Sequence, residues 1–226
     1  MGKDVIIACD FSNAKETLSF LEKLEDERPY LKIGMELFYA EGPAIVQLLK
    51  DRGHSIFLDL KLHDIPNTVG RAMKLLDGLD VDMCNVHAAG AKAMMQAAAK
   101  NFRGTLLGVT QLTSTSEEVM REEILIDRPL EDVVREYGRN CRAAGLSGVV
   151  CSPLEAAIIH KACGSDFLTV TPGIRLAGDA AGDQKRITTP KQAKEFGSDY
   201  IVVGRSITVA DNPLEAYRKC REEFIG

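Results

Sequence analysis

The sequence predicts a (β/α)8 barrel forming one domain over residues 1–226, and three observations predict it. Eight short runs rich in Val, Ile and Leu are each followed by a helix or helical piece, and none shows the alternation of a half-exposed strand. Over the first half of the chain the runs recur about every 25 residues, the length of one βα unit. Polar residues collect where the runs end, which in a barrel is one rim. An open doubly wound sheet is the competing arrangement.

In chain order, Val5 to Cys9 is the first strand, and Ser12 or Asn13 caps a helix carrying Leu18, Leu21 and Leu24 at helical spacing. Tyr30 to Gly34 is the second, with a helix from about Pro43 to Lys50 that Gly53 stops. Ser55 to Leu60 is the third, and a helix near Pro66 holds Val69, Met73 and Leu76 on one side. Val81 to Val86 leads through Gly90 to an alanine-rich helix, Ala91 to Lys100. Gly104 to Val109 precedes a long crossover: an acidic piece at Glu117 to Ile124, then a fuller helix from Pro129 to Ala144. Gly148 to Cys151 is followed by a helix opened by Ser152 and Pro153. Phe167 to Val170 enters a glycine-rich loop, Pro172 to Arg186. A helix at Lys191 to Phe196, the strand Tyr200 to Val203, and a last helix starting at Asp211-Asn212-Pro213 complete the chain.

Composition narrows the function. With 45% hydrophobic and 27% charged residues the chain reads as a soluble enzyme, and a net charge of -5 argues against general nucleic-acid binding. No run is long enough to span a membrane, and the amino terminus enters a strand where a signal peptide would need more apolar length. The six cysteines form no CxxC, so reduced thiols in a cytoplasmic protein are expected. The four histidines make no HxH or HExxH pattern, which speaks against zinc. GxGxxG, GxxxxGK[ST] and GxSxG are all missing, so no Rossmann, P-loop or nucleophile-elbow chemistry is supported.

The stretch that organises the chain runs from Phe57 to Thr68. Asp59 and Lys61 are two apart, so a continuing strand puts both on one face, with Leu58 and Leu60 on the other. Lys32 lies between Leu31 and Ile33 in strand core, where its ammonium needs a buried acidic partner. A lysine flanked by carboxylates stays protonated and can deliver a proton to a developing carbanion. A carboxylate beside an anionic substrate group is tolerable if the repulsion falls during reaction, as loss of carbon dioxide would accomplish. The competing reading is an ion network that only holds the barrel mouth together. His63 and His87 are expected to hydrogen-bond around the mouth. After strand eight, Gly204 and Arg205 stand where barrels commonly hold phosphate, with Gln184 within reach from the glycine loop.

These residues resemble the orotidine 5'-phosphate decarboxylase family over nearly the whole chain. The resemblance is carried by Ala8-Cys9-Asp10, Leu31 to Gly34, Asp59 to Thr68, Gly108 to Ser114, Thr171 to Arg175, Gly182 to Arg186 and Val203 to Ser206. The DxKxxD core alone is shared with enzymes that decarboxylate 3-keto-gulonate 6-phosphate or make hexulose phosphate. The continuation Ile65-Pro66-Asn67-Thr68 and the PGIR and DQKR segments favour the nucleotide enzyme. The resemblance implies a barrel that turns orotidine 5'-monophosphate into uridine 5'-monophosphate, the last step of de novo pyrimidine synthesis, with neither metal nor organic cofactor. It implies that Lys61 protonates C6, Asp59 faces the substrate carboxylate, and Lys32 and Asp64 complete the charge array. Asp10, Lys32, Asp64 and Thr68 would hold the ribose hydroxyls, Thr113 the pyrimidine, Pro172 its cover, and Gln184, Gly204 and Arg205 the phosphate. Asp64, Ile65 and Thr68 would come from the second subunit of a homodimer. A keto-sugar-phosphate enzyme and a non-catalytic phosphate-binding barrel are the alternatives.

Overall fold

In the computed structural model, which describes residues 3–178 and 187–226, eight parallel strands hydrogen-bond in sequence order and β8 returns to β1. Their ranges are β1 Asp4–Cys9, β2 Tyr30–Gly34, β3 Ile56–Leu62, β4 Met83–His87, β5 Thr105–Val109, β6 Gly148–Val150, β7 Leu168–Thr171 and β8 Tyr200–Val203. The barrel expected from sequence is present, and the open sheet is excluded by the β1–β8 pairing.

Around it run α1 Ala14–Glu22, α2 Met35–Glu41, α3 Pro43–Lys50, α4 Pro66–Asp77, α5 Ala91–Ala99, α6 Glu117–Glu122, α7 Leu130–Ala143, α8 Ala156–Cys163, α9 Pro190–Glu195, α10 Arg205–Thr208 and α11 Pro213–Phe224. Their starts follow local chemistry. Asn13 rather than Ser12 caps α1, accepting the Glu16 amide at 2.9 Å, and Asn212 caps α11. Proline opens α3, α4, α9 and α11, where its missing N–H leaves no helical bond unmade.

Several elements differ from the sequence reading, among them the short helix α10 that follows β8 and the start of β4 at Met83 rather than Val81. A helix, α2, follows β2 before α3, and the two are separated by Gly42 at φ +66°. It buries only Leu37 and leaves Tyr39 exposed, so it carries no apolar stripe to read. Strand β3 also runs two residues further than expected, to Leu62.

Strand alternation divides the apolar residues into two layers. Val5, Ile7, Ile33, Leu58 and Leu60 pack outward with the helices. Ile6, Ala8, Phe57, Met83, Leu107, Val170, Tyr200 and Val202 fill the barrel interior. All six cysteines are buried and none is in a disulfide; burial pushes the Cys9, Cys84 and Cys141 thiols up to about 12. Among the described residues, no helix is long and apolar enough to cross a membrane.

Candidate active site

The strands that supply the apolar interior also supply the charges above it. Two residues on from Tyr30 stands Lys32, two on from Phe57 stands Asp59, and two on from Met83 stands Asn85, all three buried. They form the next layer toward the C-terminal rim. Lys32 Nζ lies 2.9 Å from Asp10 Oδ1 and 3.5 Å from Asp59 Oδ2, and Lys61 Nζ lies 2.6 Å from Asp59 Oδ1. Asp10, Lys32, Asp59 and Lys61 thus form a continuous line of alternating sign.

Simple strand alternation does not account for the pair at its end. Between Leu58 and Leu62, β3 advances four residues while β4 advances two, from Cys84 to Val86, so β3 bulges. Lys61 sits in the bulge at φ +52°, a conformation rare for a side chain of its kind. Its amide donates to Asn85 Oδ1 at 2.8 Å, and Asn85 Nδ2 donates to Asp59 Oδ1 at 2.7 Å. Asn85 was not among the residues singled out from sequence. A polar side chain two positions after Met83 in an otherwise apolar strand was the signal that pointed inward.

Electrostatics hold the two buried members, Lys32 and Asp59, ionised. Burial works against the Lys32 ammonium, but Asp59 and Asp10, the latter also by a hydrogen bond, outweigh it and raise its pKa above the ordinary value. Burial works equally against the Asp59 carboxylate, and Lys32, Lys61 and the Lys61 and Asn85 hydrogen bonds outweigh it, keeping it below the usual range. A buried set of ions held this way tolerates loss of a member poorly.

The array borders a cavity of about 230 Å³ at the C-terminal rim, floored by Phe57 and Val202 and walled by Lys32, Asp59, Lys61, Thr113 and Pro172. Five residues expected from sequence therefore meet around one space. Beyond Pro172 the chain is tied down: the Arg175 amide donates to the Thr188 carbonyl at 2.9 Å, and the Thr188 amide to the Gly173 carbonyl at 3.1 Å. The Leu176 amide reaches Ser206 Oγ at 3.3 Å, joining this stem to the turn after β8. Gly204 opens that turn; a Cβ there would meet only Ala8 Cβ, at 3.7 Å, so the protein itself leaves room. Arg205 follows it and is exposed. Gln184 lies outside the described residues.

Asp64, Ile65 and Thr68 do not join the array within one chain. Ile65 is 65% exposed, Asp64 is exposed with Oδ1 accepting the Ile65 amide at 2.6 Å, and Thr68 is half-buried in the first turn of α4. Asp64 and Thr68 flank the start of α4 at Pro66, where the sequence expects a helix to begin. The His63 and His87 rings lie beside each other, tilted by 40° with centroids 5.6 Å apart. Burial, then His63 and Lys61, hold the His87 pKa below its ordinary value, so the neutral imidazole is favoured there.

With this geometry in view, the likeness to known proteins becomes specific. The family model for orotidine 5'-phosphate decarboxylase / HUMPS matches residues 3–220. A protein of Bacillus cytotoxicus named orotidine 5'-phosphate decarboxylase is 54% identical over 235 aligned positions, covering 100% of this chain and 99% of its own. One of Bacillus mycoides with the same name is 53% identical at the same coverage. The crystal structure of orotidine 5'-phosphate decarboxylase from Lactobacillus acidophilus superposes with a TM-score of 0.89 at 40% identity, over 99% of this chain and 100% of that one. Sequence family, relatives along the full length and a shared barrel agree: the chain belongs to the orotidine 5'-phosphate decarboxylase / HUMPS family.

Proposed function

We propose that this enzyme decarboxylates orotidine 5'-monophosphate to uridine 5'-monophosphate in pyrimidine biosynthesis. The observation that carries the reading is the Asp10, Lys32, Asp59, Lys61 line, of which Lys32, Asp59 and Lys61 wall the rim cavity. Binding a phosphate ester alone does not call for a buried carboxylate between two lysines, whereas expelling a carboxylate group does. The names of the relatives at 53–54% identity favour the nucleotide over a keto-sugar phosphate.

In this mechanism the pyrimidine ring enters against Thr113 and under Pro172, with its carboxylate facing Asp59. Their repulsion is present in the ground state and disappears as the C6 carboxylate bond breaks and neutral carbon dioxide leaves, so it lowers the barrier rather than strengthening binding. The electron pair remains on C6 and takes a proton from the Lys61 ammonium. Lys61, now neutral, regains a proton from solvent as the product leaves, Asp59 favours the charged form that the next turnover needs, and Lys32 keeps Asp59 ionised.

Asp10 and Lys32 hold the ribose hydroxyls, joined by Asp64 and Thr68 from a second subunit whose Ile65 packs beside them. The exposure of Ile65 and Asp64 at the rim supports that sharing. Gln184, Gly204 and Arg205 grip the phosphate, remote from the bond that breaks. Binding energy gathered there serves to seat the pyrimidine under Pro172 and exclude water.

The test is loss of orotidine 5'-monophosphate absorbance on adding purified protein with EDTA present throughout. Rapid formation of uridine 5'-monophosphate supports the reading and shows that no chelatable metal is needed. A folded protein that leaves the nucleotide intact but turns over a keto-sugar phosphate with magnesium overturns it.

A further inference from the structure

Asn85 stands where the β3–β4 ladder fails. The extra β3 residues leave the Lys61 amide without its regular strand partner, and the Asn85 side-chain carbonyl takes that place at 2.8 Å. The same amide group donates to Asp59 Oδ1 at 2.7 Å, the oxygen that also receives Lys61 Nζ at 2.6 Å. One fully buried side chain therefore grips the backbone of the proposed proton donor and the carboxylate that steers it.

We infer that Asn85 is a positioning residue that fixes the left-handed turn at Lys61 and aims its ammonium along Asp59. The inference deepens the decarboxylase reading and rests on it. Two features make Asn the suited residue. It offers one acceptor and one donor on a rigid planar group, matching an N–H on one side and a carboxylate on the other. Being neutral, it satisfies Asp59 without altering the alternation of charge. A second carboxylate would repel Asp59, and an aliphatic residue would leave a buried N–H unpaired.

Its side chain bonds Asp59 and the Lys61 backbone of β3; beyond Asp59 stands Lys32 of β2, and two residues on along β4 is His87, beside His63. From β5 its register partner is apolar Leu107. That setting gives Asn85→Asp a distinctive behaviour. Protonated, the new carboxyl donates to Asp59 as the amide did; ionised, it opposes Asp59 in a shared site. Its kcat with orotidine 5'-monophosphate is expected to fall as pH rises through a range in which the wild type is flat.

Asn85→Ala is expected to lower kcat by about 10²-fold, because small misplacement of a reacting group has that effect, while KM changes by no more than a few-fold. A substrate-free readout separates the two claims. Carbon-13 NMR of labelled aspartate is expected to show the Asp59 pKa moving up in Asn85→Ala, which has lost a hydrogen bond to the ionised form. Should that variant fail to fold, Asn85→Ser carries the same kinetic and NMR readings. An unmoved Asp59 titration, or wild-type kcat and pH profile in Asn85→Asp, overturns the inference about Asn85. Wild-type protein without activity on the nucleotide, but with the Asp59 shift in the variant, overturns the substrate and leaves the positioning role standing.

Discussion

Lys61 Nζ meets Asp59 Oδ1 at 2.6 Å although the strand that carries both bulges between Leu58 and Leu62. The pair is held by its own charges and by Asn85, and it forms the reacting end of a line that continues through Lys32 to Asp10. The chemistry proposed for the site turns on this contact.

Lys61→Ala removes the proposed proton donor and leaves Asp59 with Lys32 as its cation. Turnover is expected to fall by at least about 10³-fold, within the range for loss of a positioned general acid. The circular dichroism spectrum should match the wild type, since Lys61 lies at the rim and packs no core. A variant that keeps wild-type kcat would exclude it as the acid.

Arg205→Ala tests the phosphate end. A charge-assisted hydrogen bond of about 1.5–3 kcal/mol corresponds to a loss of roughly 10- to 150-fold in kcat/KM. The fold should be untouched, because the side chain is exposed. Steady-state kinetics with an unfolding curve on the same sample decides the matter, and unchanged kcat/KM would defeat the assignment.

Subunit sharing predicts complementation. Asp64→Ala protein mixed with Lys61→Ala protein is expected to regain activity, since a heterodimer contains one site with both residues intact. Random reassortment gives about a quarter of all sites restored. Proven heterodimers without activity would mean that Asp64 serves its own chain.

Stability should depend on pH through the buried array. Asp59 titrates below its ordinary 3.8 in the folded protein, so its contribution is present above that pH and is lost as pH falls through the folded pKa. Lys32 titrates above its ordinary 10.5, so its contribution is complete below that value and is lost as pH rises through the folded pKa. Asp59→Asn removes the largest source of the Lys32 elevation. Its alkaline loss of stability is therefore expected to begin at lower pH than in the wild type. Guanidinium unfolding across about pH 9 to 12 reads this directly, and coincident profiles would contradict it.

Much of this site was legible because barrel strands obey a strict period. Lys32 between Leu31 and Ile33 required an inward ammonium, and the structure supplies Asp10 and Asp59 to meet it. Asp59 and Lys61 were legible as partners, but the reason for their contact was not. A lysine at positive φ is a tertiary outcome, decided by β4 refusing to keep pace with β3 and by Asn85 accepting the stranded amide. Asn85 carries no charge and belongs to no motif read from the chain; its place two residues after Met83 hints at an inward side chain, and the structure shows what that side chain bonds. Helix α2 went unseen because its one buried residue, Leu37, makes no periodic pattern.

The six buried cysteines give the barrel an internal alarm. An enclosed thiol does not meet an aqueous disulfide reagent while the fold is shut, and burial makes Cys9, Cys84 and Cys141 reluctant to ionise as well. Cys9 and Cys84 sit on barrel strands and Cys220 on the last helix, so labelling of each reports the opening of its own part of the molecule. The natural sequence thus already holds the reporters needed to measure how often, and where, this barrel breathes.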